Sequence, residues 1–406
     1  MSDALRDWLT DVFRGRPFWM NAALVFCAYM AIVYVPWDFF FKPVAQDEEV
    51  WFGVLFHGST AKWLEIPRLI AYGARSSVLR RMRPWAGTLA ALYSAQIAFG
   101  MFVWNFLYLE GWLLPLFLAT AGAVPFTVLA VAFWTSPVFQ APRPSLRERY
   151  GEWALVTGAS AGIGAEFARA LARDGVNVAL AARRAERLQQ LASELEQRFG
   201  VETRTFPVDL AAEGAAEQLA RDVDSLEIGV LVNNAGVGYA GRFDLQETAR
   251  IRELVQTNCT APAVLASALL PGMRERGRGA IIFTGSVAGR QPLPLHAAYS
   301  ASKSFDNLLA EALYVETRGT GVDVLGLEPG STVREFHEVA GELPHPGEPA
   351  DRVVATALEA LGGQPSVVSG WFNYLRATLP PRLLPRPLLG YIARDVVRAQ
   401  TPPDLR

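Results

Sequence analysis

The hydrophobic pattern changes character near residue 145. Before it, long uncharged apolar runs dominate; after it, short apolar runs alternate with amphipathic ones. Phe18 to Val35 is apolar and uncharged, close to the length that crosses a bilayer as a helix. Trp85 to Leu109 is a longer uncharged run, Glu110-Gly111 reads as a turn, and Trp112 to Phe139 is apolar again. Pro115, Pro125 and Pro137 interrupt that last run, as membrane helices tolerate. Tryptophans at 19, 37, 85, 104, 112 and 134 include several at run ends, where interfacial aromatics belong. Residues 1–145 are therefore expected to form a membrane region of two to four helices. Trp51 to Tyr72, amphipathic and broken by Pro67, reads as a segment that dips into the interface or crosses it, so the number of crossings stays open.

From Glu152 the period shortens. Trp153 to Thr157 reads as a buried strand, Gly158 to Gly164 as a glycine-rich turn, Ala165 to Arg173 as a helix ended by Gly175, and Val176 to Ala181 as a second strand. This is a βαβ unit. Gly158 permits a tight turn, Gly162 lets backbone approach a pyrophosphate, and Gly164 lets helix and strand pack closely. The helix N-terminus offers free N–H groups and a positive dipole end to the phosphates. The expected fold class is α/β, a Rossmann-type doubly wound parallel sheet preceded by an α-helical transmembrane region. Residues 150–345 form its catalytic domain, and 346–406 a substrate-side extension with an amphipathic tail. In that tail, Trp371 to Val397 mixes large apolar residues with Arg376, Arg382, Arg386 and Arg394, a combination suited either to lipid headgroups or to packing on its own domain.

Composition sharpens this picture. Hydrophobic residues make up 51% of the 406 and charged residues 19%, against about 25% charged in an average soluble domain. The net charge of −2 creates no field favouring nucleic acid. Two cysteines (Cys27 in an apolar run, Cys259 in an expected helix) and four histidines without ligand spacing predict neither a disulfide framework nor a metal site. Arg80, Arg81 and Arg83 precede the second long run, and Arg143, Arg147 and Arg149 follow the third. An excess of arginine marks the cytoplasmic side, so an integral membrane protein with a cytoplasmic catalytic domain is expected.

Thr157-Gly-Ala-Ser-Ala-Gly-Ile-Gly164, Asn233-Asn-Ala-Gly236, Ser286, Tyr299-Ser-Ala-Ser-Lys303, Asn258 and Pro329-Gly330 together resemble the short-chain dehydrogenase/reductase family over about Glu152 to Phe336. The resemblance does not reach the first 150 residues. It implies that Tyr299 gives a proton to a carbonyl oxygen as hydride reaches the carbon. A free phenol, with a pKa of about 10, exchanges poorly near neutrality. Lys303, one helical turn along the same face, favours the phenolate by its charge and in the family also holds the nicotinamide ribose. Ser286 would polarise the carbonyl, and Asn258 would hold a water in a proton path to the lysine. Gly158, Ser160, Ala161, Gly162, Ile163, Gly164, Asn234, Ala235, Gly236, Pro329, Gly330 and Thr332 are the expected cofactor contacts, with Asp209 at the adenine.

The second strand ends Ala181-Ala182-Arg183-Arg184. An acidic residue there would bind the ribose 2′-hydroxyl and select NAD. Arg183 could instead pair with a 2′-phosphate, so NADPH/NADP+ is the expected cofactor. The family often carries a threonine where this chain has Arg334, leaving Ser331 or Thr332 to serve the carboxamide. The reading is a membrane-tethered reductase of a hydrophobic ketone: lipid-like, 3-ketoacyl or sterol-like. Its alternatives are the same machinery run as an alcohol dehydrogenase, or a non-catalytic NADP(H)-binding scaffold. Expected partners are the hydrophobic substrate and membrane lipid. The helix from about Ser300 to Thr317 either pairs subunits in a homodimer, as in the family, or packs within its own subunit.

Overall fold

The structure, a computed structural model, describes residues 13, 18–51, 54–81, 84–108, 113–136, 144–332, 341, 343 and 346–406. It divides into two compact units, 1–143 and 144–406.

In the first unit a helix (α1, Phe18–Phe41) precedes a two-stranded antiparallel hairpin (β1, Glu48–Trp51; β2, Val54–His57). Three further helices follow: α2 (Gly58–Arg81), α3 (Pro84–Tyr108) and α4 (Leu113–Thr135). Three stretches are long and apolar enough to cross a membrane: Phe18–Phe41, Ala86–Val103 and Leu116–Thr135. The first extends past the expected stop at Val35. Met30–Tyr34 is wound as a wider π turn, which opens the hydrogen-bond ladder ahead of Pro36, where a proline would break a regular helix. The amphipathic stretch from Trp51 to Tyr72 begins in a strand and continues as a helix. Trp51 pairs with Val54 in the hairpin, and only from Gly58 does the chain turn helical, running through Pro67. Buried charges fix that corner. Lys42 and Lys62 lie 3.0 and 3.3 Å from the Asp47 carboxylate, and the Arg68 guanidinium bridges Glu49 and Glu65.

The second unit opens with a short helix (α5, Leu146–Tyr150). Its Ser145 hydroxyl accepts the Glu148 N–H while Glu148 accepts the Ser145 N–H, a reciprocal cap that satisfies two orphan donors. Strands β3 (Trp153–Thr157), β4 (Asn177–Ala182), β5 (Thr203–Pro207), β6 (Ile228–Asn233), β7 (Gly279–Thr284), β8 (Val322–Glu328) and β9 (Ser366–Val368) form one parallel sheet, ordered β5-β4-β3-β6-β7-β8-β9. Side chains alternate along each strand, and both faces are buried. Ala154, Val156, Val178, Leu180, Val230 and Val232 face one core with α6 (Gly162–Arg173), α7 (Ala185–Phe199) and α12 (Ala350–Ala360). Leu155, Ala179, Leu231, Ile281 and Phe283 face the other with α8 (Ala215–Asp222), α10 (Ala261–Glu275) and α11 (Ala297–Glu316). Among the described residues the remaining α-helices of this unit are α9 (Thr248–Val255), α13 (Trp371–Leu383) and α14 (Arg386–Gln400).

The sequence pattern sets 346–406 apart as an extension. The structure instead draws it into the sheet: β9 pairs with β8, and Val353, Val354 and Ala357 of α12 fill the first core. Covering the last strands on that face leaves no other place for this apolar surface.

Phe167 of α6 is wholly buried in the first core. Phe167→Ala is expected to cost about 3–5 kcal/mol of stability, measured by urea unfolding of the detergent-solubilised chain.

Candidate active site

The chemistry-bearing residues collect where the parallel strands end. A cavity of about 750 Å³ lies over the ends of β3, β4, β6, β7 and β8. It is lined by Gly158, Ser160, Ala161, Gly162 and Ile163 from the glycine-rich turn, Arg183 after β4, Asp209 after β5, and Asn234, Ala235 and Gly236 after β6. Ser286 after β7, Tyr299 and Lys303 on α11, and Pro329, Gly330 and Thr332 after β8 complete the set. Two expected residues lie behind the wall. Gly164 packs the turn: a Cβ there would lie 2.4 Å from the Gly158 carbonyl oxygen and 2.5 Å from Asn234 Nδ2. Asn258 is fully buried. Arg334 lies outside the described residues.

The turn is suited to phosphate. Gly158 and Gly162 adopt φ of 65° and 61°, the left-handed region that favours glycine. At Gly158 a Cβ would come 2.9 Å from the Ala235 Cα. No side chain caps the start of α6, so its first N–H groups face the cavity as donors for an anion. The turn is tied to the next strand through Thr157, whose hydroxyl accepts the N–H groups of Asn234 and Ala235 at 2.9 and 3.0 Å. At the far end, Arg183 pairs with Glu253 at 3.2 Å. Arg184, which also lines the cavity, donates to the Ser160 hydroxyl at 3.0 Å. Two guanidinium groups thus stand at the end of β4, on the edge of the cavity. The sequence pattern singles out only the first. Arg184 carried the same signal, a cation next to the strand end, but its bond to Ser160 is tertiary.

Lys303 is the electrostatic centre. It is buried, and its ammonium donates to the Thr284 carbonyl at 2.7 Å and to Asp306 Oδ2 at 3.0 Å. Burial works against its charge, but Asp306, itself buried, and then Tyr299 outweigh it and hold the ammonium above the ordinary lysine range. Asp306 is absent from the sequence-based site. Nothing in the local sequence marks it: three residues after Lys303, on the same helical face, it reads as an ordinary helix-surface aspartate. Burial, with Asp306 adding to it, pushes the nearby Cys259 thiol up to about 11, so the thiol stays protonated.

Asn258 sits in a π turn, Gln256–Thr260, rather than in a regular helix. Its amide accepts the Val237 N–H at 2.9 Å and donates to the Val237 carbonyl and the Ser302 hydroxyl at 2.9 and 3.0 Å. It thereby pins the loop after β6 to α11. The Ser286 hydroxyl accepts the Ala288 N–H at 3.1 Å and donates to the Pro329 carbonyl at 3.3 Å. Asn307, another residue that the motifs do not mark, accepts the Ser286 N–H and donates to its carbonyl. Arg290 grips the buried Glu328 at the end of β8 with both arms of its fork, fixing the turn into Pro329-Gly330.

Removing the counter-ion would leave a buried ammonium uncompensated. Asp306→Asn is expected to lower stability by about 3 kcal/mol, measured by urea unfolding, with Asp306→Glu losing less.

Similarity to known proteins agrees with this geometry. The family model described as short chain dehydrogenase matches residues 152–341. Curated relatives named very-long-chain 3-oxoacyl-CoA reductase include that of Homo sapiens, 38% identical over 183 residues, covering 44% of this chain and 59% of the relative. That of Bos taurus is 34% identical over 223 residues, covering 53% and 70%. That of Laccaria bicolor is 34% identical over 265 residues, covering 63% and 76%. The chain thus spans between about three fifths and three quarters of these relatives' lengths. Among solved structures, a 7beta-hydroxysteroid dehydrogenase superposes with a TM-score of 0.58 at 28% identity, covering 61% of this chain and 99% of that one. A short-chain dehydrogenase from Sphingobium yanoikuyae in complex with NADPH gives 0.51 at 33% identity, covering 54% and 86%. The chain belongs to the short-chain dehydrogenase/reductase family.

Proposed function

We propose that this protein is an NADPH-dependent reductase of long-chain 3-oxoacyl thioesters or closely similar hydrophobic ketones, held at a bilayer by its first unit. The observation that carries the reading is the convergence of Tyr299, Lys303 and Ser286 on one cavity with the glycine-rich turn. NADPH bound along that turn supplies the hydride that reaches the carbonyl carbon. The residues of the chain do the rest. Tyr299 Oη donates to the substrate's carbonyl oxygen, and Ser286 Oγ joins it by turning its one hydroxyl hydrogen from the Pro329 carbonyl to that oxygen. As negative charge grows on that oxygen, Tyr299 Oη gives it a proton, leaving phenolate, which the Lys303 ammonium stabilises. Asn258 keeps the loop after β6 and α11 in register, so that a proton can return to Tyr299 by way of Lys303 and a held water.

Arg183 and Arg184 supply the charge for a 2′-phosphate, and Ala182 ends β4 where a carboxylate would select the 2′-hydroxyl. Relatives that bear a 3-oxoacyl-CoA reductase name, and a solved neighbour that holds NADPH, support both halves of the reading. Leu389, Ile392, Ala393 and Val397 add an apolar lining to the cavity, as a ketone with a long hydrocarbon chain requires. The three apolar helices support the reading of the first unit as an integral anchor, and the arginine distribution supports a catalytic unit on the cytoplasmic side. Phe305, Leu308 and Val315 of α11 are exposed, which supports a contact with a second copy.

Tyr299→Phe is expected to keep NADPH binding, seen as quenched tryptophan fluorescence, and to lose at least about a hundredfold in kcat on a 3-oxoacyl substrate. Unchanged turnover would remove Tyr299 from the mechanism. Arg183→Ala combined with Arg184→Ala is expected to raise KM for NADPH by roughly tenfold or more, with little change for NADH. Equal losses with the two cofactors would refute the phosphate assignment.

A further inference from the structure

Helices α13 and α14 have two functionalised faces. Inward, Ala377, Leu389, Ala393 and Val397 are buried. Outward, Trp371, Leu375, Leu379 and Leu383 follow one another at four-residue steps along α13 and are 76, 40, 48 and 74% exposed. That is a continuous apolar stripe on one side of a helix, and Leu388 and Tyr391 of α14 extend the exposed apolar surface. Between residues 371 and 400 the chain has five arginines, one aspartate and no lysine or glutamate. Scattered exposed leucines need no explanation, whereas an apolar stripe edged by cations does.

The decisive feature is how the stripe meets the cavity. Ile392 and Val396 line the cavity and are also 45 and 52% exposed. Arg376, exposed on α13, lines it from the other helix. The mouth of the active site therefore opens onto the apolar, arginine-edged surface.

We propose that the outer face of α13 and α14 lies in the interface of an anionic lipid bilayer, and that apolar substrates enter the cavity from the membrane through the mouth bounded by Arg376, Ile392 and Val396. This rests on the reading of the cavity as a site for a ketone with a long apolar chain. Charge complementarity selects the occupant: a net charge of +4 over thirty residues suits anionic headgroups, and aromatic side chains such as Trp371 and Tyr391 suit the headgroup level. The chain also carries three helices able to cross a membrane, so the surface works near lipid at high effective concentration.

The test uses the full chain reconstituted in phosphatidylcholine vesicles with and without phosphatidylglycerol. A nitroxide is attached at Leu379→Cys and, as a control, at the exposed Gln189→Cys, with the unsubstituted chain giving the background from Cys27 and Cys259. The Leu379 label is expected to be open to dissolved oxygen and shielded from a water-soluble nickel chelate, more so with phosphatidylglycerol, while the Gln189 label stays open to nickel. In parallel, Leu375→Ser with Leu383→Ser is expected to lower kcat/KM by about tenfold for a long-chain 3-oxoacyl substrate dissolved in the vesicles, and to leave a short water-soluble ketone unaffected. A Leu379 label open to nickel overturns the proposal. So does a label shielded from oxygen as well as nickel, or shielding that rises with protein concentration, since the chain's own first unit or a second copy then covers the face. So does an equal loss on both substrates. If the label is buried in lipid but no ketone is reduced, the docking surface stands and the reductase reading falls.

Discussion

A parallel sheet covered by helices on both faces leaves no water along its strands, so its side chains there must be apolar and its polar groups must gather at the strand ends. That constraint organises the second unit. From β3 to β8, Ala154, Leu155, Val156, Val230, Leu231, Ile281, Leu325 and their neighbours alternate between two cores that are almost wholly dry. Thr157, Asn233, Thr284 and Glu328 are the last residues of their strands, and each is polar. The turns that follow supply the hydroxyls, amides and glycines around the cavity. The site stands at this edge because it is where backbone donors and side-chain charge can be placed without breaking the sheet.

The polar residues are held by one another more than by the helices that carry them. Thr157 is tied to the turn after β6, Asn258 to that same turn and to Ser302, and Asn307 to Ser286 and Glu328. Each bond joins residues that are far apart in the chain, so the cavity wall behaves as one cross-linked piece. The π turn at Asn258 belongs to this scheme. It adds a residue to one helical turn and allows Asn258 to bond both backbone groups of Val237.

Much of this was legible in the chain. The apolar run Trp153 to Thr157, the glycine spacing that follows, and Tyr299 with Lys303 were enough to place the fold and the residues around the cavity. Three features were not legible. The strand Ser366–Val368 is too short and too bare of alternation to stand out, and it exists because β8 needs a neighbour. Asp306 looks like an ordinary helix-surface aspartate until the helix is packed against β7 and the Thr284 carbonyl. The helix from Phe18 passes Pro36 because a wider turn precedes the proline, and such a turn leaves no trace in hydropathy. In each case the deciding information is a tertiary contact or a backbone adjustment, which a local pattern does not encode.

The arrangement around Lys303 bears on how such a centre can be moved. A tyrosine and a lysine at four-residue spacing look like a portable cassette for any helix that faces a cavity. Here the ammonium keeps its proton in a dry site because the Thr284 carbonyl and the Asp306 carboxylate stand beside it. A graft of Tyr299 and Lys303 alone would install an amine whose charge burial opposes and no carboxylate supports. The transferable unit is at least four groups, contributed by one helix and one strand end, and a recipient scaffold must offer a carbonyl where β7 stops.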